Sequence, residues 1–438
     1  MSTNKLDKQI VRVMEMSIAS VIVLMPFHAF LTVWASNAVG HYTLLRLWKE
    51  VIVALICLGT VYLLAKDKAL RTMLFASNLV RLTLVLIGII SAYTIFELIQ
   101  GTTSAKAVGY GLIVDARFLV FFLVCLVVSA KSSWLKNNAR VLILAPAIVV
   151  AAFAVAQYLI LPYDFLRHFG YGEATIGAYE TINNNLEHLR VASTLRGANP
   201  LGAYLILPLS LIAVLLFKEK REWRDKIIIG AGVVMALVFS FSRSAWIGTA
   251  VALALVVWTA IKSKKAKVSL GVIVGLSILL VSVLSFALRD NSTFENVVLH
   301  TEEGSTSLGS NEGHWSAFSS ASRDIIHQPL GQGIGTAGPQ SVYNNGNARI
   351  AENYYLQIGQ EIGVIGMAIF ITIIFLVARM LWDGRADNLS LALFASLVGL
   401  SVTNLFLHAW ADDTLAYVWW GLAGIAIASH GPAHRQSR

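Results

Sequence analysis

Charge is scarce in this chain: 13% of its 438 residues are Asp, Glu, Lys or Arg, about half the share of an average soluble domain. With 56% hydrophobic residues and a mean hydropathy of +0.68, a water-soluble globule is excluded. Cysteine is nearly absent. The two present, Cys57 and Cys125, both fall inside apolar stretches, so no disulfide framework is implied and each thiol reads as a small hydrophobe. No C-x-x-C, H-E-x-x-H or D-x-D pattern occurs, which weighs against a zinc site or a metal-dependent nucleotide-sugar transferase. Nor is there a basic helix or a basic patch interleaved with aromatics, so the net charge of +9 is no nucleic-acid signature. Asn291-Ser292-Thr293 matches a glycosylation acceptor, a three-residue pattern on which nothing is built.

What fills the chain instead is hydrophobic runs of membrane-spanning length, about 20 residues each. Twelve are expected, at about Met16 to Trp34, Leu47 to Leu64, Arg81 to Leu98, Gly111 to Val128, Val141 to Leu161, Leu201 to Phe217, Ile227 to Phe241, Ala245 to Ile261, Val268 to Leu288, Glu361 to Leu381, Leu391 to Leu407 and Leu415 to Ala428. The fold class is thus an all-α integral membrane protein, residues 1–438 forming a single polytopic domain. The first run follows Lys5, Lys8 and Arg12 as a secretory signal would, but its apolar core exceeds the usual ~7–15 residues.

Basic residues concentrate in alternate connections. With the N-terminus inside, 23 of the 34 Lys and Arg fall on the inner side, in short loops where the positive-inside rule applies. The termini are therefore expected in the cytoplasm, and residues capable of chemistry gather outside. Two outer connections are long, residues 162–200 and residues 289–360, and connections beyond ~12–15 residues are usually functional or disordered. Within the second, Trp315, Phe318, Ser322 and Ile325 recur at helical spacing before Pro329. An amphipathic helix over Glu312 to Gln328 is expected on or near the outer surface, its aromatic stripe packed on the membrane domain.

Pro329-Leu330-Gly331-Gln332-Gly333-Ile334-Gly335 follows. Read alone it is a tight turn that admits close backbone approach. Its converging N–H groups, those of Gly333 and Gly335 among them, can also cradle a pyrophosphate on an extracytoplasmic lipid. Two arginines sit at the outer mouth: Arg196 in Thr194-Leu195-Arg196-Gly197-Ala198-Asn199-Pro200, and Arg243 in Ser242-Arg243-Ser244-Ala245-Trp246. A charge near hydrocarbon costs ~2.5–3.5 kcal/mol on insertion scales, so each is a snorkeller, an ion-pair member or a ligand group. A guanidinium fork suits phosphate oxygens.

These segments, their order and their sidedness resemble the O-antigen ligase and polysaccharide polymerase superfamily of bacterial membrane glycosyltransferases. The likeness rests on the Arg-Gly-Ala-Asn-Pro-Leu-Gly mouth, the Ser-Arg-Ser-Ala-Trp turn, and Pro-Leu-Gly-Gln-Gly-Ile-Gly followed by Glu352-Asn353-Tyr354-Tyr355-Leu356. The resemblance implies transfer of a glycan from an undecaprenyl-diphosphate carrier to an acceptor hydroxyl, on the outer face of the cytoplasmic membrane. The acceptor is a lipid-linked repeat for a polymerase and lipid A core for a ligase. Where family ligases show His-Asn, this chain has Glu352-Asn353, which leans the expectation toward polymerase.

Under that resemblance Arg196 and Arg243 would hold the diphosphate, and Glu352 would take the acceptor proton or pair with an arginine. Asn353, Tyr354, His314 and Asn199 would orient sugars. Inversion by a single displacement is expected, with neither metal nor cofactor. The rival is a transporter or lipid flippase, which would place ionisable groups near mid-bilayer on interrupted helices. Here the segment interiors read as nearly charge-free, Asp115 and Arg117 being the closest exceptions. A non-catalytic scaffold for envelope assembly is the third class.

Overall fold

The computed structural model describes residues 5–182, 185–219, 221–269, 271–272 and 310–429. Its helices are α1 (Lys5–Leu24), α2 (His28–Val39), α3 (Tyr42–Leu45), α4 (Trp48–Lys66), α5 (Lys68–Ala76), α6 (Asn78–Gln100), α7 (Ala105–Ser129), α8 (Trp134–Leu159), α9 (Ala198–Lys218), α10 (Trp223–Phe239), α11 (Arg243–Ala260), α12 (Ser310–His327), α13 (Tyr354–Asp383), α14 (Asn388–Thr403) and α15 (Asp413–Ala428). Among the described residues, eight helical spans are long and apolar enough to cross a membrane, and α14 and α15 are shorter apolar helices. α10 is also short, with Arg224, Asp225 and Lys226 in its first turn. The chain is therefore a multi-pass helical membrane protein, with eight qualifying spans where twelve were expected. The expected ninth segment lies outside the described residues beyond its first few, as do residues 289–309 of the loop that follows it, Asn291-Ser292-Thr293 among them.

α15 is the hub. Every residue from Thr414 to Ile427 is buried, as befits a helix apolar all round. α7 lies along it, with Phe118, Phe121 and Phe122 packed edge to face or tilted on Tyr417 and Trp420. At one end of the bundle the basic connections meet: Lys136 pairs with Asp387 at 3.6 Å, Arg140 and Lys226 with Glu219 at 3.2 and 3.5 Å, Lys66 with Asp7 at 3.5 Å, and Lys131 with Asp67. The long connections meet at the other end. There Phe30 N donates to Thr194 O at 3.3 Å, Val191 N to Phe239 O at 3.0 Å and Tyr354 N to Asn404 O at 3.1 Å.

The first long connection carries secondary structure of its own. Two strands, β1 (Glu180–Ile182) and β2 (Asn185–Arg190), pair antiparallel with Glu180 opposite Arg190. In the second, α12 forms where an amphipathic helix was expected, but its stripe divides. Ala321 and Ile325 are buried, and Asp324 accepts from Gln360 Nε2 of α13 at 2.8 Å, while Trp315 and Phe318 stay exposed, stacked at 5.7 Å.

The glycine-rich stretch does something different from a free cradle. α13 is broken at Ile362 and Gly363, which are non-helical, and the stretch enters the break. Gln332 N donates to Gln360 O at 2.7 Å, Gly333 N to Glu361 O at 3.0 Å and Val364 N to Pro329 O at 2.9 Å. Irregular backbone at membrane depth persists only where protein satisfies it, as here. A Cβ on Gly331 (φ +87) would lie 2.6 Å from both Glu361 O and Gly363 N, so only glycine fits.

The interiors are also less neutral than the sequence reading held. Glu361 Oε1 accepts from Gly335 N at 2.8 Å and Gln340 Nε2 at 2.9 Å, and Tyr354 Oη donates to Asp115 at 3.4 Å. Elsewhere Asp413 lies 3.3 Å from His28, 3.2 Å from Lys49 and 3.8 Å from Arg117. Buried charges persist when partnered in this way.

Candidate functional site

A cavity of about 640 Å³ opens where the long connections converge, a size suited to a substantial ligand. Four parts of the chain supply its chemistry. The first is the α10–α11 turn, where Trp246 Nε1 donates to Leu237 O at 2.9 Å and so folds the start of α11 back onto the end of α10. That turn sets Arg243 as the first residue of α11, on the cavity wall. α11 is held in place by α14: Thr403 Oγ1 donates to Ser244 O at 3.2 Å.

The second part is the β-hairpin, which ends on Arg190. Its Nη2 donates to Asn199 Oδ1 at 2.7 Å and its Nε to Ser240 O at 3.3 Å, while Glu180 lies 3.9 Å away. Burial pulls the Arg190 guanidinium below its ordinary value, and the Glu180 carboxylate pushes the other way; at neutral pH it remains a cation. Arg190, Asn199 and Arg243 thus line one wall.

The third part is the entry to α13. Asn353 caps this helix, its Oδ1 accepting from Leu356 N at 3.0 Å, and its Nδ2 donates to Leu405 O at 3.1 Å. Immediately before it Glu352 adopts φ +50, a left-handed conformation uncommon for a non-glycine residue. The fourth is α12, whose His314 Nδ1 contacts Glu352 Oε2. Both side chains, with Trp315, Phe318 and the apolar Phe241, Ile247, Leu405, Phe406 and Leu407, complete the lining.

Of the residues singled out from sequence, Arg243, Glu352, Asn353, His314 and Asn199 therefore share this cavity. Four others lie elsewhere. Arg196 is exposed and outside the lining, close enough to act electrostatically on His408 and Asp412. Tyr354 is fully buried against Asp115. Gly333 packs on Glu97, and Gly335 on the backbone of Ala107 while donating to Glu361. The acceptor held by the glycine-rich stretch is thus the chain's own Glu361 carboxyl group.

Sequence reasoning missed Arg190. The one signal available was the Asn183-Asn184 pair between short flanking segments, a composition that favours a chain reversal before Arg190. Next to the cavity, His408 is half-buried; desolvation lowers its pKa, Glu352 raises it and Arg196 lowers it further. Among the described residues, no group of three or more His, Cys, Asp or Glu side chains is arranged to hold a metal ion.

No curated protein matches the chain. Residues 227–371, about a third of the chain, match the family model described as O-Antigen ligase. That region carries the Arg243 turn, α12, the glycine-rich stretch, Glu352-Asn353 and the first half of α13. That match supports a likeness of this part of the chain to the O-antigen ligase superfamily.

Proposed function

We propose that this protein is a membrane glycosyltransferase that moves a glycan from an undecaprenyl-diphosphate carrier to an acceptor sugar hydroxyl, more as a polysaccharide polymerase than as a lipid A-core ligase. The observation that carries the reading is the gathering of Arg190, Arg243 and the Glu352–His314 pair in one cavity. Paired guanidinium groups suit a diphosphate whose charge grows as the sugar C1–O bond breaks. A carboxylate and imidazole opposite them can take the proton of the attacking hydroxyl. Attack from the face opposite the leaving group gives inversion in one displacement, and the arginines supply the positive charge a metal would otherwise bring. Arg196 stands at the neighbouring rim.

The basic end of the bundle faces the cytoplasm in this reading, with both termini, and the cavity faces the outer side of the inner membrane. Apolar walls at Leu405, Phe406 and Leu407 would accommodate the first isoprene units of the carrier. The test is a single-turnover assay with purified undecaprenyl-diphosphate glycan and a sugar acceptor. Stoichiometric transfer with inverted anomeric configuration is expected; bound donor that is never transferred would refute the reading.

A transporter or flippase is the second reading, and a specific observation favours it. Helix α13 is interrupted at Ile362–Gly363 beside the buried Glu361 and Asp115, a pattern common in secondary transporters. Translocation of a fluorescent lipid-linked glycan by reconstituted protein, without transfer, would decide for it.

A further inference from the structure

We infer that the acceptor proton goes to Nε2 of His314, with Glu352 as the positioning residue that holds the imidazole; this rests on the transferase reading above. The geometry assigns the roles. It is Nδ1 of His314 that contacts Glu352 Oε2. A carboxylate on one ring nitrogen fixes the hydrogen there and leaves the lone pair on the other, so Nε2 becomes the proton acceptor. Oε2 of Glu352 is engaged by the ring, so this oxygen is not the one that would take a hydroxyl's proton. The left-handed backbone of Glu352, φ +50, directly precedes the Asn353 cap. A conformation of this kind persists where the surroundings fix it, and such residues cluster at functional sites.

The step balances. The acceptor oxygen forms its bond to the sugar C1 as the C1–O bond to diphosphate breaks, and the electron pair leaves with undecaprenyl diphosphate beside Arg190 and Arg243. The hydroxyl proton passes to Nε2, giving an imidazolium stabilised by the Glu352 carboxylate, and is later lost to solvent or to the departing diphosphate. Imidazole is the better matched base at neutral pH because its ordinary pKa lies nearest to it.

The experiment measures single-turnover transfer from purified undecaprenyl-diphosphate glycan, against pH, with donor binding measured separately. The charged groups around the imidazole are Glu352 on the α13 entry, Arg190 and Arg243 on the facing wall, and His408 with Arg196 beyond it. Expected for His314→Gln is a fall in transfer of about 10²–10⁴-fold with donor binding kept. Expected for Glu352→Gln is a smaller fall, with the acid limb of the pH profile displaced to lower pH, because the imidazolium has lost its counter-charge. His408→Gln should leave that limb in place. His314 is a third exposed on a helix surface, so its loss should not unfold the protein, and an unchanged thermal midpoint checks this.

Transfer that survives His314→Gln but vanishes in Glu352→Gln overturns the proposal and makes Glu352 the base. Displacement of the limb by His408→Gln overturns it in favour of His408. Failure of the wild-type protein to transfer bound donor at any pH removes the transferase reading and this proposal together, an outcome distinct from both.

Discussion

Replacing Gly331 by alanine tests the interrupted helix directly. Three costs follow from the geometry. A residue with a Cβ at φ +87 pays the left-handed penalty of ~1–2 kcal/mol. The methyl would lie 2.6 Å from Glu361 O and Gly363 N, both backbone atoms that cannot swing away, so overpacking adds ~1–3 kcal/mol. Separating the two segments then weakens Gln332 N to Gln360 O and Val364 N to Pro329 O, each worth ~0.5–1.5 kcal/mol. Together the loss is about 3–8 kcal/mol. Two glycines serve as references. Gly101 has φ +68 but open space around it, so its alanine variant costs only ~1–2 kcal/mol. Gly88 lies within α6 with nothing near, and alanine there is neutral or stabilising by up to ~1 kcal/mol. The assay is heating of detergent-solubilised protein with a thiol-reactive fluorophore, which reports unfolding through the buried Cys125 against a background from the half-buried Cys57. The midpoints should rank Gly88→Ala, Gly101→Ala, Gly331→Ala from highest to lowest. Equal midpoints for the last two would refute the insertion of the glycine-rich stretch into α13.

Arg190→Lys and Arg243→Lys should each keep abundance but weaken donor binding and lower transfer strongly, since a point charge replaces a bidentate fork; Arg196→Lys should cost less because Arg196 is not on the cavity wall, and equal losses in all three would overturn that distinction. Desolvation lowers the pKa of the half-buried His408, so the folded protein holds it neutral and stability falls as pH drops below its ordinary value of 6.5. Asp412, pushed up to about 6 by burial, titrates nearby with the opposite sign, so the measurement is the difference in thermal-midpoint slope against pH between wild type and His408→Gln. The variant should be less sensitive to acid, and identical slopes would show that His408 contributes nothing. Cysteines at Glu173 and Asn345 should react with an impermeant thiol reagent added outside, and one at Lys264 should not; the reverse pattern would invert the topology.

The spans were legible because a run of apolar residues long enough to cross hydrocarbon leaves few alternatives, and α6, α9 and α11 begin within a few residues of the expected positions. Arg243 was visible for a related reason, as an ionisable side chain at the end of an apolar run, where solvation is costly without a ligand or partner; Glu352 was visible through the resemblance, standing where family ligases show histidine. Arg190 was not, because an arginine in a polar connection is unremarkable until a hairpin carries it to the wall. The glycine-rich stretch exposed its donors to sequence reading but not the acceptor they meet, which turned out to be the Glu361 carboxyl group at a helix break no local pattern announced. The same limit applies to Trp315 and Phe318: periodicity gave the face of α12 but not which half of that face would be covered.

The burial of α15 on every side bears on how the protein is made. α15 is the last of the described helices in chain order, yet α7 and the rest of the bundle pack around it. A ribosome delivers it to the membrane after its neighbours have already been inserted. Those neighbours must wait with a slot open, exposing to lipid the faces of α7 that later hold Phe121 and Phe122 against Tyr417 and Trp420. Until that slot is filled, the α14–α15 connection that presents Leu405 and Leu407 to the cavity has no anchor at its far end. Assembly of the site is therefore a late event in biogenesis, and a chain arrested before Asp413 would be inserted but incomplete.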